Sequence, residues 1–229
     1  AQEEPTREGY TFVSWDKNVP DTVSDENVKN GKLVFQAVWK EIAYTISYDL
    51  AGGSLPTGKT NPTTFTINSK PMDLVQPKRE GYTFEGWSGT DIKEKDTQVT
   101  VTARPLKDRT YTANWKENSY TIVFNVEGEV TRGEMKNIPL RYTQETTIPE
   151  NGYVCGGYKF VGWRTGGKKS EQKVYQPGDK VSRLCATNNG TVNLYPIWEP
   201  CEYTITFDYQ TGNKREKVTC KYKETYTFP

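Results

Sequence analysis

The sequence predicts a mainly β protein assembled from tandem units of about 76 residues, and three observations carry that reading. The six tryptophans recur in frame. Trp15, Trp87 and Trp163 close the phrases GYTFVSW, GYTFEGW and GYKFVGW, while Trp39, Trp115 and Trp198 close LVFQAVW, RTYTANW and VNLYPIW. The spacings are 72 and 76 residues in the first set and 76 and 83 in the second. A further phrase keeps step with them: YTISYDL from Tyr44, YTIVFNV from Tyr120 and YTITFDY from Tyr203. Composition gives the third observation. Fifteen Tyr and eight Phe stand against two Met, and β-branched and aromatic residues suit a pleated surface better than a helix.

Each repeat reads as a series of strands. In YTISYDL, Tyr44, Ile46, Tyr48 and Leu50 share one side and Thr45, Ser47 and Asp49 the other, the alternation of a strand with one wet face. A turn-rich stretch follows (AGGSLPTGKTNP, VEGEVTRGEMKN, QTGNKRE). A second strand is then expected near Phe65–Ile67, Leu140–Tyr142 and Val218–Tyr222, making an antiparallel hairpin. A proline (Pro77, Pro149, Pro229) leads towards GYxFxxW, where the Trp three residues beyond the Phe breaks strict alternation. Gly86 and Gly162 precede that Trp, so a bulge is expected there; Ser14 replaces the glycine in the first copy and is strained if the position needs positive φ. Between the two tryptophans the length varies most, with short helices expected around Asp21–Val28 and Ser170–Tyr175. The closing strand alternates again through Phe35, Ala37, Trp39 and their counterparts, and Pro196 implies an edge or a pair whose amide is not needed.

The repeated aromatics are expected to be core rather than a stacking platform. Small β units so poor in Leu and Met need Trp15, Trp39, Trp87, Trp115, Trp163 and Trp198 inside, each burying about 150–250 Å². Tyr175 and Tyr222 are left open as surface residues.

All four cysteines follow residue 150. Cys201 and Cys220 flank the hairpin that begins YTITFDY, and a symmetric register would place them opposite each other as a cross-strand disulfide. Cys155, in the inserted NGYVCGG, and Cys185, in the longest inter-tryptophan segment, form a second candidate pair. The alternative is four free thiols in a reducing compartment; the even number with local pairing favours export.

The sequence also excludes function classes. It contains no histidine, which removes Ser-His-Asp, Cys-His and His-metal schemes, and it has no CxxC, P-loop or dinucleotide fingerprint. Asp91, Glu94 and Asp96 read as a solvated turn rather than catalytic carboxylates, and Asp49, Asn125 and Asp208 as turn caps rather than calcium ligands. No enzyme, cofactor or metal is expected. Net charge is +1, without the basic footprint of a nucleic-acid binder. No apolar run reaches the roughly 20 residues of a membrane span, and the opening AQEEPTREG has no hydrophobic signal segment; a soluble piece of something longer is expected. Asn189-Gly190-Thr191 forms a glycosylation sequon, meaningful only in a eukaryotic secretory route.

Taken as a set, YTISYDLAGGSL, PKREGYTFEGW and TYTANWK in the second copy resemble the Listeria–Bacteroides repeat family, which includes listerial internalin B repeats and relatives of mucin-binding repeats. The third copy departs by the Cys155 insertion and by GEVTRG in place of the Gly-Gly turn. The resemblance covers nearly the whole chain. It implies β-grasp-like or small β-sandwich units, in an elongated array on a bacterial cell-surface, adhesin-like protein, with an extracellular location and no catalytic residues. Two divisions of the chain are open. In one, residues 1–40 are the C-terminal half of a repeat, 44–115 and 120–198 are whole repeats, and 203–229 are an N-terminal half. In the other, three units run 1–77, 78–149 and 150–229. The expected role is a stalk or spacer; the alternative is a module that binds a host protein or glycan through surface aromatics, and copies of the chain are a further possible partner, head-to-tail.

Overall fold

The computed structural model describes all residues except 1–2, 20–21, 23–27, 29, 167–170, 213–214 and 228–229. The chain divides into two compact units, Ala1–Arg79 with Phe84–Lys116, and Glu80–Thr83 with Glu117–Pro229. Among the described residues there is no α-helix, and the protein is all β with repeated small sheets.

In the first unit, β1 (Tyr10–Trp15) pairs antiparallel with β2 (Ala37–Glu41) as a two-stranded sheet. The following strands are β3 (Tyr44–Asp49), β4 (Thr64–Phe65), β5 (Met72–Asp73), β6 (Tyr82–Gly89), β7 (Ile92–Asp96), β8 (Thr100–Val101) and β9 (Arg109–Glu117). Five of them make one sheet in the order β4-β3-β9-β6-β7, and β5 pairs with β8. The first strand of the repeat and its closing strand lie side by side and parallel, with Ile46 beside Arg109 and Tyr48 beside Tyr111. The outer neighbours β4 and β7 are antiparallel.

The second unit repeats this plan. It contains β10 (Ser119–Phe124), β11 (Val130–Arg132), β12 (Ile138–Arg141), β13 (Thr146–Thr147), β14 (Val154–Cys155), β15 (Tyr158–Thr165), β16 (Val174–Tyr175), β17 (Lys180–Val181) and β18 (Gly190–Pro200), followed by the hairpin β19 (Glu202–Asp208) and β20 (Arg215–Lys221). The main sheet runs β12-β10-β18-β15-β16, again with β10 and β18 parallel at its centre. A sheet with parallel first and last strands inside antiparallel flanks is the β-grasp order. Where a β-grasp carries a helix, this chain supplies Leu74, Val99 and Val101, or Ile148 and Val181, beside the short pairs β5–β8 and β13–β17.

Several expectations are corrected here. The Asp21–Val28 helix falls almost wholly outside the described residues, and Val174–Tyr175 is a strand rather than helical. The bulge before the tryptophan is present in the first and third copies, where the register slips between Phe12 and Ser14 and between Phe160 and Gly162. Positive φ is not required by it: Gly86 (φ 123°) and Gly162 (φ 151°) have it, while Ser14 does not. What the glycines supply is close approach. A Cβ on Gly86 would stand 2.7 Å from the Asp96 backbone on β7, and one on Gly162 would stand 2.8 Å from the Gln176 amide. Pro196 lies in the central strand β18, two residues beyond the last parallel rung, Phe124 beside Leu194, so its missing amide costs no rung on that side.

Each unit has its own core. Trp87 is fully buried (0 % exposed) among Ile46, Phe65, Leu74, Tyr111 and Ala113, and Trp163 (0 %) among Tyr120, Ile122, Phe124, Ile148 and Leu194. Phe84 and Tyr48 meet the Trp87 ring edge-on at 5.6 and 5.9 Å, a geometry that adds about 0.5–1.5 kcal/mol per pair beyond area burial.

Candidate functional site

The repeats bring side chains together in two kinds of place, the cores and the joints where a GYxF phrase meets the next hairpin. The closing tryptophans are half-buried. The Trp115 indole donates to the Leu50 carbonyl (3.0 Å), and the Trp198 indole donates to the Glu127 carbonyl (3.1 Å). Both lock the closing strand onto the turn after the first strand of the same repeat. Gly53 makes room for this, since a Cβ there would stand 2.5 Å from the Trp115 ring.

The joint itself was not singled out by sequence reasoning, although its signal is visible as the glycine of GYxF. In the first unit, Gly9 (φ 76°) accepts a hydrogen bond from the Ile42 amide (2.9 Å), and a Cβ on it would lie 2.8 Å from Ile67. In the second unit, Gly157 (φ 79°) accepts from the Cys201 amide (2.8 Å), and a Cβ on it would lie 2.4 Å from the Tyr222 ring. Tyr222 in turn donates its amide to the Cys201 carbonyl (2.8 Å). Within the same unit Gly81 (φ 75°) repeats the arrangement with the Asn118 amide (2.9 Å) and the Tyr142 ring, 2.0 Å from an added Cβ. The left-handed backbone and the absent side chain are both needed, because the second strand of one hairpin ends with its side chain against the glycine of another phrase.

Polar contacts finish the joints. The Asn68 amide nitrogen donates to the Tyr10 hydroxyl (2.7 Å) and to the Glu41 carboxylate (2.6 Å). Hydrogen bonds from Thr66 first and Asn68 second hold the Glu41 carboxyl below the usual glutamate range. Arg104 pairs with Glu8 through both guanidinium nitrogens, and Lys223 pairs with Glu129 (2.6 Å).

The cysteines do not form the expected bridges; all four are free thiols. Tyr203 stands opposite Cys220, which puts Cys201 opposite Tyr222. Cys201 and Cys220 are therefore diagonal neighbours, about 7–8 Å apart, beyond the roughly 4.4–6.8 Å that a disulfide spans. Cys185 lies beside Gly190 and Cys155 lines a small cleft with Trp198. Eight residues of β18 separate these places, about 26 Å at strand rise, so these two cannot pair in this fold.

The tryptophans also separate into classes. Trp15 is 39 % exposed and Trp39 is half-buried, on the two-stranded sheet of β1 and β2. Phe12, Trp15, Val19 and Phe35 line an open cleft of about 530 Å³ with Glu3, Glu4 and Pro5. Tyr175 and Tyr222 are half-buried, Tyr175 against the core of its unit and Tyr222 against Gly157. The carboxylates of the 91–96 turn do not converge: Asp91 pairs with Lys107 (3.0 Å) and Asp96 caps the Gln98 amide (2.9 Å). Asp49 and Asp208 cap the amides of Ala51 and Gln210, whereas Asn125 bonds to Asn193. Among the described residues no cluster of three or more acids or cysteines could hold a metal, and no helix is long and apolar enough to cross a membrane.

The model of the Listeria–Bacteroides repeat domain matches residues 1–37, 44–114 and 120–195. The chain belongs to this repeat family. Among similar proteins, one from Evansella cellulosilytica described as a Gly-rich membrane protein is 24 % identical over 228 residues, 98 % of this chain and 24 % of its own length. A second membrane protein of that organism is 26 % identical over 199 residues, 86 % of this chain and 27 % of its own length. Internalin H of Listeria monocytogenes is 30 % identical over 130 residues, 56 % of this chain and 22 % of its own length. The Listeria–Bacteroides repeats here thus span about a quarter of the relatives they match.

Proposed function

We propose that this repeat tract is a non-enzymatic stalk or spacer in a bacterial cell-surface protein, exported and adhesin-like, that holds other parts of that protein away from the wall. The joint glycines carry this reading: a left-handed glycine (Gly9, Gly81, Gly157), an amide from the next linker and a side chain at the equivalent place in the next hairpin (Ile67, Tyr142, Tyr222) recur at all three GYxF phrases. Linkers as short as Ile42-Ala43 leave little freedom for independent motion. The relatives, two described as membrane proteins and one an internalin, support a surface location. The free thiols withdraw the cysteine pairing that first favoured export. Sheets that begin at Tyr44 and Ser119 favour the division that starts each repeat at YTI, with halves at 1–40 and 203–229.

A second reading has its own observation. The exposed Trp15 and its cleft offer an aromatic surface that could take a host glycan or glycoprotein. Titrating the chain with immobilised mucin and a glycan array, with tryptophan emission read in parallel, separates the two. The spacer reading expects no saturable binding. Saturable binding that shifts Trp15 emission and is lost in Trp15→Ala would overturn it in favour of a binding module.

A further inference from the structure

Two residues ahead of the phrase glycine, the repeats 44–115 and 120–198 differ in one side chain, and a cleft opens where they differ. In the 44–115 repeat the turn after β3 holds Gly52 in the left-handed region (φ 82°). Arg79, two residues ahead of Gly81 in sequence, lies over that turn. Its Cζ would stand 3.6 Å from a Cβ on Gly52, and its Nη1 donates to the Ala51 carbonyl (3.0 Å). In the 120–198 repeat the turn after β10 has the same form, with Gly128 at φ 83°. Two residues ahead of Gly157 stands Cys155, buried and too short to lie across the turn as Arg79 does. The result is an open cleft of about 240 Å³ lined by Gly128, Glu129, Cys155, Tyr158 and Trp198.

From this exchange of Arg for Cys we propose that the cleft is a binding site for an arginine side chain of a partner protein, seated as Arg79 is seated in the 44–115 repeat. The lining suits each part of that side chain. Cys155, Tyr158 and Trp198 offer apolar surface to the three-carbon stem, which arginine buries while its charge stays in water. Tyr158 and Trp198 are half-buried rings, and an aromatic face attracts a guanidinium within about 6 Å. Gly128 leaves the approach to the indole open, since a Cβ there would stand 3.5 Å from Trp198 Cδ1. Glu129 follows Gly128 where Gly53 follows Gly52, so this copy adds a carboxylate at the rim. That carboxylate already holds a cation, the Lys223 ammonium at 2.6 Å, in an exposed pair of the kind that contributes little and exchanges readily. A planar guanidinium forks onto a carboxylate and stacks on an aromatic ring, neither of which an ammonium does, so arginine is preferred to lysine.

The site goes beyond the spacer reading and does not depend on it. The test titrates the 229-residue chain with the blocked peptide acetyl-Gly-Arg-Gly-amide and follows the Trp198 indole N–H by NMR. Two controls run beside it: the citrulline peptide, of the same shape without the charge, and guanidinium ion, which has the charge without the stem. The expected result is a saturable shift of the Trp198 signal with the arginine peptide. Binding of the citrulline peptide should be weaker by about three-fold or more, and the bare ion should also bind more weakly. Glu129→Gln, at an exposed position that leaves the fold intact, should weaken the arginine peptide by about three-fold. Lys223→Ala removes the competing cation and should tighten it. Cys155→Arg supplies the guanidinium from within the chain and should abolish binding. No saturable shift up to the solubility limit of the peptide would overturn the proposal. Equal binding of the citrulline peptide or of the bare ion, or binding that Glu129→Gln leaves unchanged, would overturn it as well.

Discussion

Gly157 and Tyr222 occupy one space: a Cβ on the glycine would stand 2.4 Å from carbons of the tyrosine ring, and the glycine backbone is left-handed at φ 79°. We expect Gly157→Ala to destabilise the hairpin β19–β20 by about 1–2 kcal/mol from backbone conformation alone, with the clash added. Hydrogen exchange of the amides from Tyr203 to Lys221 reads this directly. Tyr222→Ala in the same chain removes the clash and leaves the backbone term, so the two substitutions should be non-additive.

The tryptophans should divide by burial. Trp87→Ala and Trp163→Ala empty fully buried sites and are expected to cost about 3–5 kcal/mol each in urea unfolding. Trp15→Ala, at 39 % exposure, should cost clearly less, because less area is buried and its site opens to solvent without leaving a closed cavity. Equal losses at all three positions would contradict the assignment of Trp15 to an open face.

The strand order could not have come from the sequence in the way that the strands themselves did. Alternation in YTISYDL and the tryptophan frame are local patterns, and both survive in β3 and in the cores around Trp87 and Trp163. The parallel contact between β3 and β9 joins residues more than sixty positions apart, Ile46 with Arg109, and nothing in either strand names its partner. Cys201 and Cys220 illustrate the same limit at short range. Midpoint symmetry predicts them face to face, but the register places Tyr203 opposite Cys220, and this offset of two residues removes the bridge while leaving both on one face. The glycine of GYxF was equally visible and equally mute, because its need for a missing side chain lies in Ile67 or Tyr222, residues of the next hairpin.

Free thiols make a chemical prediction. Reduction should leave the melting temperature unchanged, and four thiols per chain should react with an alkylating reagent after unfolding. In the native protein Cys155, which is buried, should react more slowly than the half-buried Cys201 and Cys220. A mass lower by a disulfide in material purified without reductant would contradict the structure.

The joint in the first unit should loosen in acid. Thr66 and Asn68 hold the Glu41 carboxyl below the value it has in the unfolded chain. A depressed folded pKa means that the stabilisation is complete above the unfolded pKa and is lost as pH falls through the folded one. Amide exchange of Asn68 should therefore quicken only below the ordinary carboxylate range, and Glu41→Gln should flatten that dependence.

The central claim is that the joint glycine fixes the angle between consecutive hairpins. The most direct measurement is the distance distribution between spin labels, carried on unnatural amino acids, at the exposed positions Ser14 and Lys59 on either side of the first joint. A single narrow distribution that broadens in Gly9→Ala is the result this account predicts. A broad distribution in the parent chain, or one that Gly9→Ala leaves unaltered, would contradict it.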